Sequence, residues 1–134
     1  MHPLIQFNLI LAWVWILLGF VSGAILGCNF HREDWLGGYA SHRRRMYRLG
    51  HISFFGLAIM NFLFVQTLEI LSLNSSSLSA GLCVASLGFA VGALTMPACC
   101  ALAAHRTSVR SWFAVPVSSL ILGAGWTLWE VMHL

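Results

Sequence analysis

The chain has 134 residues, of which 59% are hydrophobic and 8% are charged, with a formal net charge of +3 and a mean hydropathy of +0.83. A water-soluble domain of this size has too much surface relative to its volume to bury so large an apolar fraction, which excludes that class. The basic residues flank apolar segments, which argues against a nucleic-acid-binding protein. The composition therefore predicts an integral membrane protein.

Four segments are long and apolar enough to cross about 30 Å of hydrocarbon as helices that rise about 1.5 Å per residue. We predict these helices at residues 4–28, 51–73, 78–104 and 111–134. Closed β-barrels are the other spanning solution, and they need short alternating strands that the sequence lacks. The predicted fold is an all-α bundle of four transmembrane helices, a single domain with both termini on one side of the membrane.

The basic residues predict which side of the membrane each connection faces. All seven are arginines: Arg32, Arg43, Arg44, Arg45 and Arg48 in loop 29–50, and Arg106 and Arg110 after the third helix, while the connection LNSSSLS is uncharged. The positive-inside rule therefore predicts a cytoplasmic position for both arginine loops and an outer position for the termini, most simply in a bacterial inner membrane. Residues 41–50 form either a short interfacial helix or an extension of the second helix.

Two strips of small residues recur along the predicted helices. They are Gly19, Gly23 and Gly27 in the first helix and Ala85, Gly88 and Gly92 in the third. Such strips let a neighbouring backbone approach closely. We interpret them mainly as internal packing faces, with docking of a partner protein as the alternative.

Two histidines are predicted to lie near the cytoplasmic face, His51 at the start of the second helix and His105 at the end of the third. Imidazoles on facing helices are typical axial ligands of a b-type haem. Arg44, Arg45 and Arg106 are placed to contact the haem propionates. The alternative is that both histidines are interfacial residues bonded to backbone or to lipid phosphate.

Two carboxylates and a histidine are predicted near the outer face. Glu69 and Glu130 each lie about one turn before the end of their helices, and His133 shares a helix face with Glu130. The helix dipole disfavours an anion there, so a proton, a cation or a partner is expected. Glu69, Glu130 and His133 thus form a candidate metal or quinol-headgroup site, unless they simply reach the membrane interface.

Three cysteines are predicted to approach the cytoplasmic face, namely Cys28, Cys99 and Cys100. Thiolates are ligands for soft metal ions such as Cu(I), although cysteine also fills small packing niches in helices. A transporter of protons through the outer carboxylates, or of soft metals through the cysteines, is therefore one hypothesis.

The sequence contains no P-loop, no Gly-x-Ser-x-Gly and no His-Glu-x-x-His motif, so we expect no catalysis by the chain on its own. The leading hypothesis is a non-catalytic membrane subunit whose partners are lipid and other membrane subunits. Respiratory or other electron-transfer machinery is the expected host complex. A b-type haem anchor that carries electrons, and the transporter, are the alternatives.

Overall fold

The computed structural model describes residues 2–74 and 79–133, except for the side chains of Leu73 and Asn74. Within these ranges the helices are α1 (Pro3–Cys28), α2 (His42–Asn74), α3 (Ala80–His105) and α4 (Ala114–Met132), with short 3-10 helices at Trp35–Gly37 and Thr107–Phe113. Four of the described segments are long and apolar enough to cross a membrane, which confirms the predicted all-α four-helix bundle. Most of the LNSSSLS connection and the predicted boundaries at 78 and 134 lie outside the described residues.

The second helix begins at His42, nine residues before the predicted boundary at His51. Ser41 caps it, because the Ser41 hydroxyl accepts a hydrogen bond from the backbone N–H of Arg44 at 3.2 Å. The same hydroxyl donates to the carbonyl of Leu36 at 2.8 Å, which ties the loop to the start of the helix. Residues 42–50 therefore extend α2, and His51 lies inside the helix.

Consecutive helices pack as antiparallel neighbours, with α2 and α3 at the centre, α1 against α2 and α4 against α3. The buried apolar residues form two clusters: Ile5, Phe64, Val65, Leu68, Leu71, Leu82, Ala85 and Phe89 in one, and Leu11, Trp15, Leu57, Ala58, Ala90 and Ala93 in the other. Half of the most apolar window of α3 is buried in the bundle, but only 11% of that of α4. Most of the α4 surface is therefore left for lipid or a partner.

Both small-residue strips pack inside the bundle. Gly19 and Gly23 lie against side chains of α2, and Gly88 lies against the backbone of α4. A side chain at any of these three positions would meet its neighbour at less than a normal contact distance. Gly27, at the end of the α1 strip, has no such neighbour within 4 Å.

Candidate functional site

The two ends of the bundle differ in their chemistry. The arginine end contains the N-terminus of α2, the C-termini of α1 and α3, and both 3-10 helices. The carboxylate end, opposite, contains Glu69, Glu130 and His133. Two cavities of about 410 Å³ each lie at the arginine end.

The first of these, which we call the His51 cavity, lies between α1, α2, α3 and the Trp35–Gly37 helix. Its walls are mainly apolar and include Ile25, Leu26, Trp35, Leu36, Met46 and Phe54. The side chains with hydrogen-bonding groups that line it are Ser22, Tyr47, His51 and, through its indole N–H, Trp35. An apolar pocket with a few convergent polar groups is the usual form of a small-molecule site.

The hydrogen bonds of Ser22 favour one tautomer of His51. The Ser22 hydroxyl donates to the carbonyl of Gly19 at 2.9 Å, and its oxygen lies 3.0 Å from Nδ1 of His51. A hydroxyl has one proton to give, so with that proton on the Gly19 carbonyl the Ser22 oxygen accepts from His51 and Nδ1 carries the imidazole proton. In the neutral ring, Nε2 is then a hydrogen-bond acceptor. In this tautomer, a ligand bonded to Nε2 of His51 would be the donor.

The His51 ring is held in place by apolar contacts as well. It packs edge-on against Phe55, with ring centroids 5.5 Å apart, and a Cβ at Gly23 would lie 2.8 Å from its Cε1. His51 also lines a second, smaller cavity of about 250 Å³, shared with Arg44 and Arg48. The imidazole thus forms a wall between two cavities.

His105 occupies a different position from His51. Its Nε2 lies 2.8 Å from the Tyr47 hydroxyl, and the two rings meet edge-on at 6.0 Å. Tyr47 lines the His51 cavity, whereas His105 stands behind it and does not. His51 is hydrogen-bonded to α1, whereas His105 is hydrogen-bonded to α2. The two imidazoles therefore do not line the same cavity. Haem ligation by this pair stays a prediction.

The loop between α1 and α2 is folded around Arg44, whose side chain is only 2% exposed. Its guanidinium donates to the carbonyls of Phe30 at 3.0 Å and Arg32 at 3.4 Å. It also lies over the rings of Phe30, Trp35 and Tyr39, at 5.4, 5.7 and 5.1 Å from their centroids. We call this arrangement the Arg44 cage. Each cation–π contact of this kind contributes about 0.5–2 kcal/mol.

The turn between Trp35 and Tyr39 of the cage has an unusual backbone. Leu36 has φ 57° and ψ 25°, and Gly37 and Gly38 also have positive φ. A left-handed conformation costs a residue with a Cβ about 1–2 kcal/mol, and such strain concentrates at functional sites. Leu36 is a wall of the His51 cavity. The loop therefore holds that wall in a conformation that local preferences alone would not select.

The three arginines predicted as propionate contacts are dispersed. Arg44 is buried in its cage and borders the smaller cavity. Arg45 is exposed and lines a separate groove with Arg110. Arg106 is exposed where α3 ends. Only Arg44 therefore lies beside His51.

The carboxylate end shows no comparable assembly. Glu130 accepts a hydrogen bond from the Ser79 hydroxyl, while Glu69 is exposed. His133 donates to the carbonyl of Trp129 at 2.7 Å and stacks on its ring at 4.1 Å. Across residues 2–74 and 79–133, no three His, Cys, Asp or Glu side chains are grouped so as to hold a metal ion. The structure does not bring together Glu69, Glu130 and His133.

Two buried asparagines complete the polar groups of the interior. Asn8 and Asn61 are 0% and 1% exposed. The Asn8 amide donates to the Ser86 hydroxyl at 2.6 Å, whereas the Asn61 amide donates to the carbonyl of Leu57 at 2.8 Å. Within the described part of the chain, neither side-chain oxygen has a partner. A single amide side chain within an apolar span is the sequence signal for such a buried polar residue. The sequence did not predict that Asn8 would bond to Ser86.

Comparison with protein-family models finds no family that matches the chain, and comparison with curated proteins and solved structures finds no significant match to either. The structure alone thus defines the class of protein. It is an integral membrane four-helix bundle with a ligand-sized cavity at its arginine end.

Proposed function

We propose that the chain is a non-catalytic integral membrane subunit that binds a quinol in the His51 cavity, within a larger electron-transfer complex. The observation that carries the proposal is the combination of an apolar cavity of ligand size with a histidine whose network leaves Nε2 as acceptor. A quinol is an apolar ring whose hydroxyl groups donate hydrogen bonds. Its chemistry complements both features.

The size and walls of the cavity support a ring compound with an apolar tail. Its volume of about 410 Å³ lies within the roughly 300–1,000 Å³ typical of small-molecule sites. Trp35 and Phe54 supply aromatic surface for a ring, and Ile25 and Leu26 of α1 supply aliphatic surface for a tail. Binding alone needs no change in any bond of the ligand, so it is compatible with a subunit that performs no chemistry.

Two uncovered glycines support assembly with partner helices. Gly56 on α2 and Gly125 on α4 are exposed, and a Cβ at either would meet nothing within 4 Å. Such positions let another transmembrane helix approach closely. We place the arginine end, and hence the quinol, at the cytoplasmic face of a bacterial inner membrane, by the positive-inside rule.

The binding test uses the purified full chain in neutral detergent with a water-soluble, short-chain benzoquinol kept reduced. We expect His51→Ala to weaken binding about tenfold, because a buried hydrogen bond contributes about 1.4 kcal/mol when its partner is removed. His31→Ala, in the exposed part of the loop, is the matched control and should bind like the wild type.

The oxidation state of the ligand tests the assignment of His51. The oxidised quinone has no hydroxyl proton, so we expect it to bind more weakly than the quinol, and the difference should vanish in His51→Ala. Equal binding of both forms to the wild-type protein, or undiminished quinol binding by His51→Ala, would contradict the proposal.

A visible spectrum of the same sample tests the haem alternative. A Soret band that disappears in both His51→Ala and His105→Ala would show that the ligand is a b-type haem and not a quinol. Mass analysis after gentle purification tests the other half of the proposal, since a subunit should leave the membrane together with its partner proteins.

A further inference from the structure

A second groove at the arginine end lies where α2 and the Thr107–Phe113 helix border α3. It has a volume of about 410 Å³. Met46, Leu49, Ala103 and Phe113 form its apolar surface, and Arg45 and Arg110 bring two cations to it. We call it the Arg45/Arg110 groove.

Both guanidinium groups in this groove lack an acidic partner. The chain has four carboxylate side chains, all within the described ranges, and none lines the groove. Arg45 and Arg110 are exposed. They come from two separate elements, so two positive charges lie at one groove with no carboxylate of the described chain beside them. An anion from outside the chain is the complementary occupant.

The floor of the groove is fixed by a bond between helices. The His42 ring lies 2.9 Å from the carbonyl of Ala103, which joins the start of α2 to the end of α3. Because this contact does not depend on either arginine, the apolar floor should persist when the arginines are replaced. Charge and shape can therefore be tested separately.

A separate cavity lies further along the bundle, between α2 and α4. It has a volume of about 270 Å³ and is lined from Met60 on α2 to Val131 on α4, with Phe89 of α3. Met60 follows Leu49 by eleven residues, about 16 Å along a helix. This is close to half of the roughly 30 Å hydrocarbon thickness. An acyl chain that starts at the groove would reach this second cavity near the bilayer centre.

We propose that the Arg45/Arg110 groove binds an anionic phospholipid, whose phosphate bonds to both guanidinium groups and whose acyl chain lies between α2 and α4. Arginine matches phosphate oxygens in geometry and charge. Basic pockets between transmembrane helices are typical sites for acidic headgroups. Since α4 has little buried surface, the lipid would also support its position.

The test measures lipid retention by the full chain in neutral detergent, using native mass spectrometry after addition of phosphatidylglycerol. We expect Arg45→Gln/Arg110→Gln to bind about 30-fold more weakly, which corresponds to about 1 kcal/mol for each basic residue. Arg43→Gln/Arg106→Gln removes the same charge from exposed positions outside the groove. This control should retain phosphatidylglycerol at the wild-type level.

Shape is tested by Leu49→Trp, which keeps every charge and fills the groove. We expect it to lose phosphatidylglycerol while it keeps the wild-type melting temperature in detergent without lipid. Equal loss in the Arg43/Arg106 control, equal retention of phosphatidylcholine, or full competition by glycerol phosphate without acyl chains would each overturn the proposal. The last result would leave a phosphate site without a lipid groove.

Discussion

The arginine end and the carboxylate end use their polar residues differently. At the arginine end, one buried guanidinium gathers three aromatic rings and two carbonyls from the loop. At the carboxylate end, no group of three His, Cys, Asp or Glu side chains forms within the described residues. The contrast teaches that equal depth in a membrane does not make two residues neighbours.

The chemistry of the side chains explains part of this difference. Arginine has a long stem, five donors and a planar face, so one residue can satisfy carbonyls at its edge and aromatic rings at its faces. A carboxylate accepts only, and its position near a helix C-terminus is electrostatically unfavourable. Glu69 therefore stays exposed to water or headgroups, and Glu130 is bonded to a single hydroxyl.

The comparison predicts that Arg44 is the most sensitive position of the loop. Arg44→Leu should lower the free energy of unfolding by about 3 kcal/mol, because it removes two charge-assisted hydrogen bonds and several cation–π contacts. It should also speed tryptic cleavage after the exposed Arg32, since the loop loses its central contact. Thermal unfolding in detergent and the rate of proteolysis measure both effects.

Arg43→Leu is the matched control for Arg44, since it lies one residue earlier on α2 but is exposed. An exposed substitution of this kind should change stability by no more than about 0.5 kcal/mol. If both variants lost the same stability, the cage would not be what organises this end of the bundle.

The sequence predicted the four helices because long apolar runs have few alternatives in lipid. It gave the apolar span from His51 and left open whether residues 41–50 extend that helix, because the first turns of α2, from His42 to Gly50, carry arginines and rise out of the apolar run. Ser41 was an available N-cap signal for the true start. Hydropathy finds the part of a helix that lies in lipid and misses the part beyond it.

The glycine strip of α1 gives the second prediction. Gly23→Ala should destabilise the protein by about 1 kcal/mol, since its Cβ would lie 2.8 Å from Cε1 of His51 and overpacking of this kind is costly. It should also weaken quinol binding, because the ring must shift from Ser22. Unfolding and binding assays on one preparation measure both.

Gly27→Ala provides the comparison on the same strip, because a Cβ there would meet nothing within 4 Å. We expect its stability to stay within about 0.5 kcal/mol of the wild type and its quinol binding to be unchanged. Were Gly23→Ala equally silent, the close contact between α1 and His51 would not hold the ring.

The Arg44 cage could not be predicted from the sequence. Phe30, Trp35 and Tyr39 lie in a loop, and all three surround a guanidinium that comes from α2. Periodicity relates residues along one element, and a cage depends on where a loop returns.

The smallest effects are expected at the carboxylate end. Glu130→Ala removes one hydrogen bond to Ser79, so it should cost about 0.5–1 kcal/mol. Glu69→Ala removes an exposed side chain and should change neither stability nor proton flux in vesicles.

If Zn²⁺ or Mn²⁺ raised the melting temperature of the wild type, and each of Glu69→Ala, Glu130→Ala and His133→Ala abolished the rise, these three residues would bind a metal after all. The carboxylate end would then become ordered only when its ligand binds, whereas the arginine end is already assembled without one.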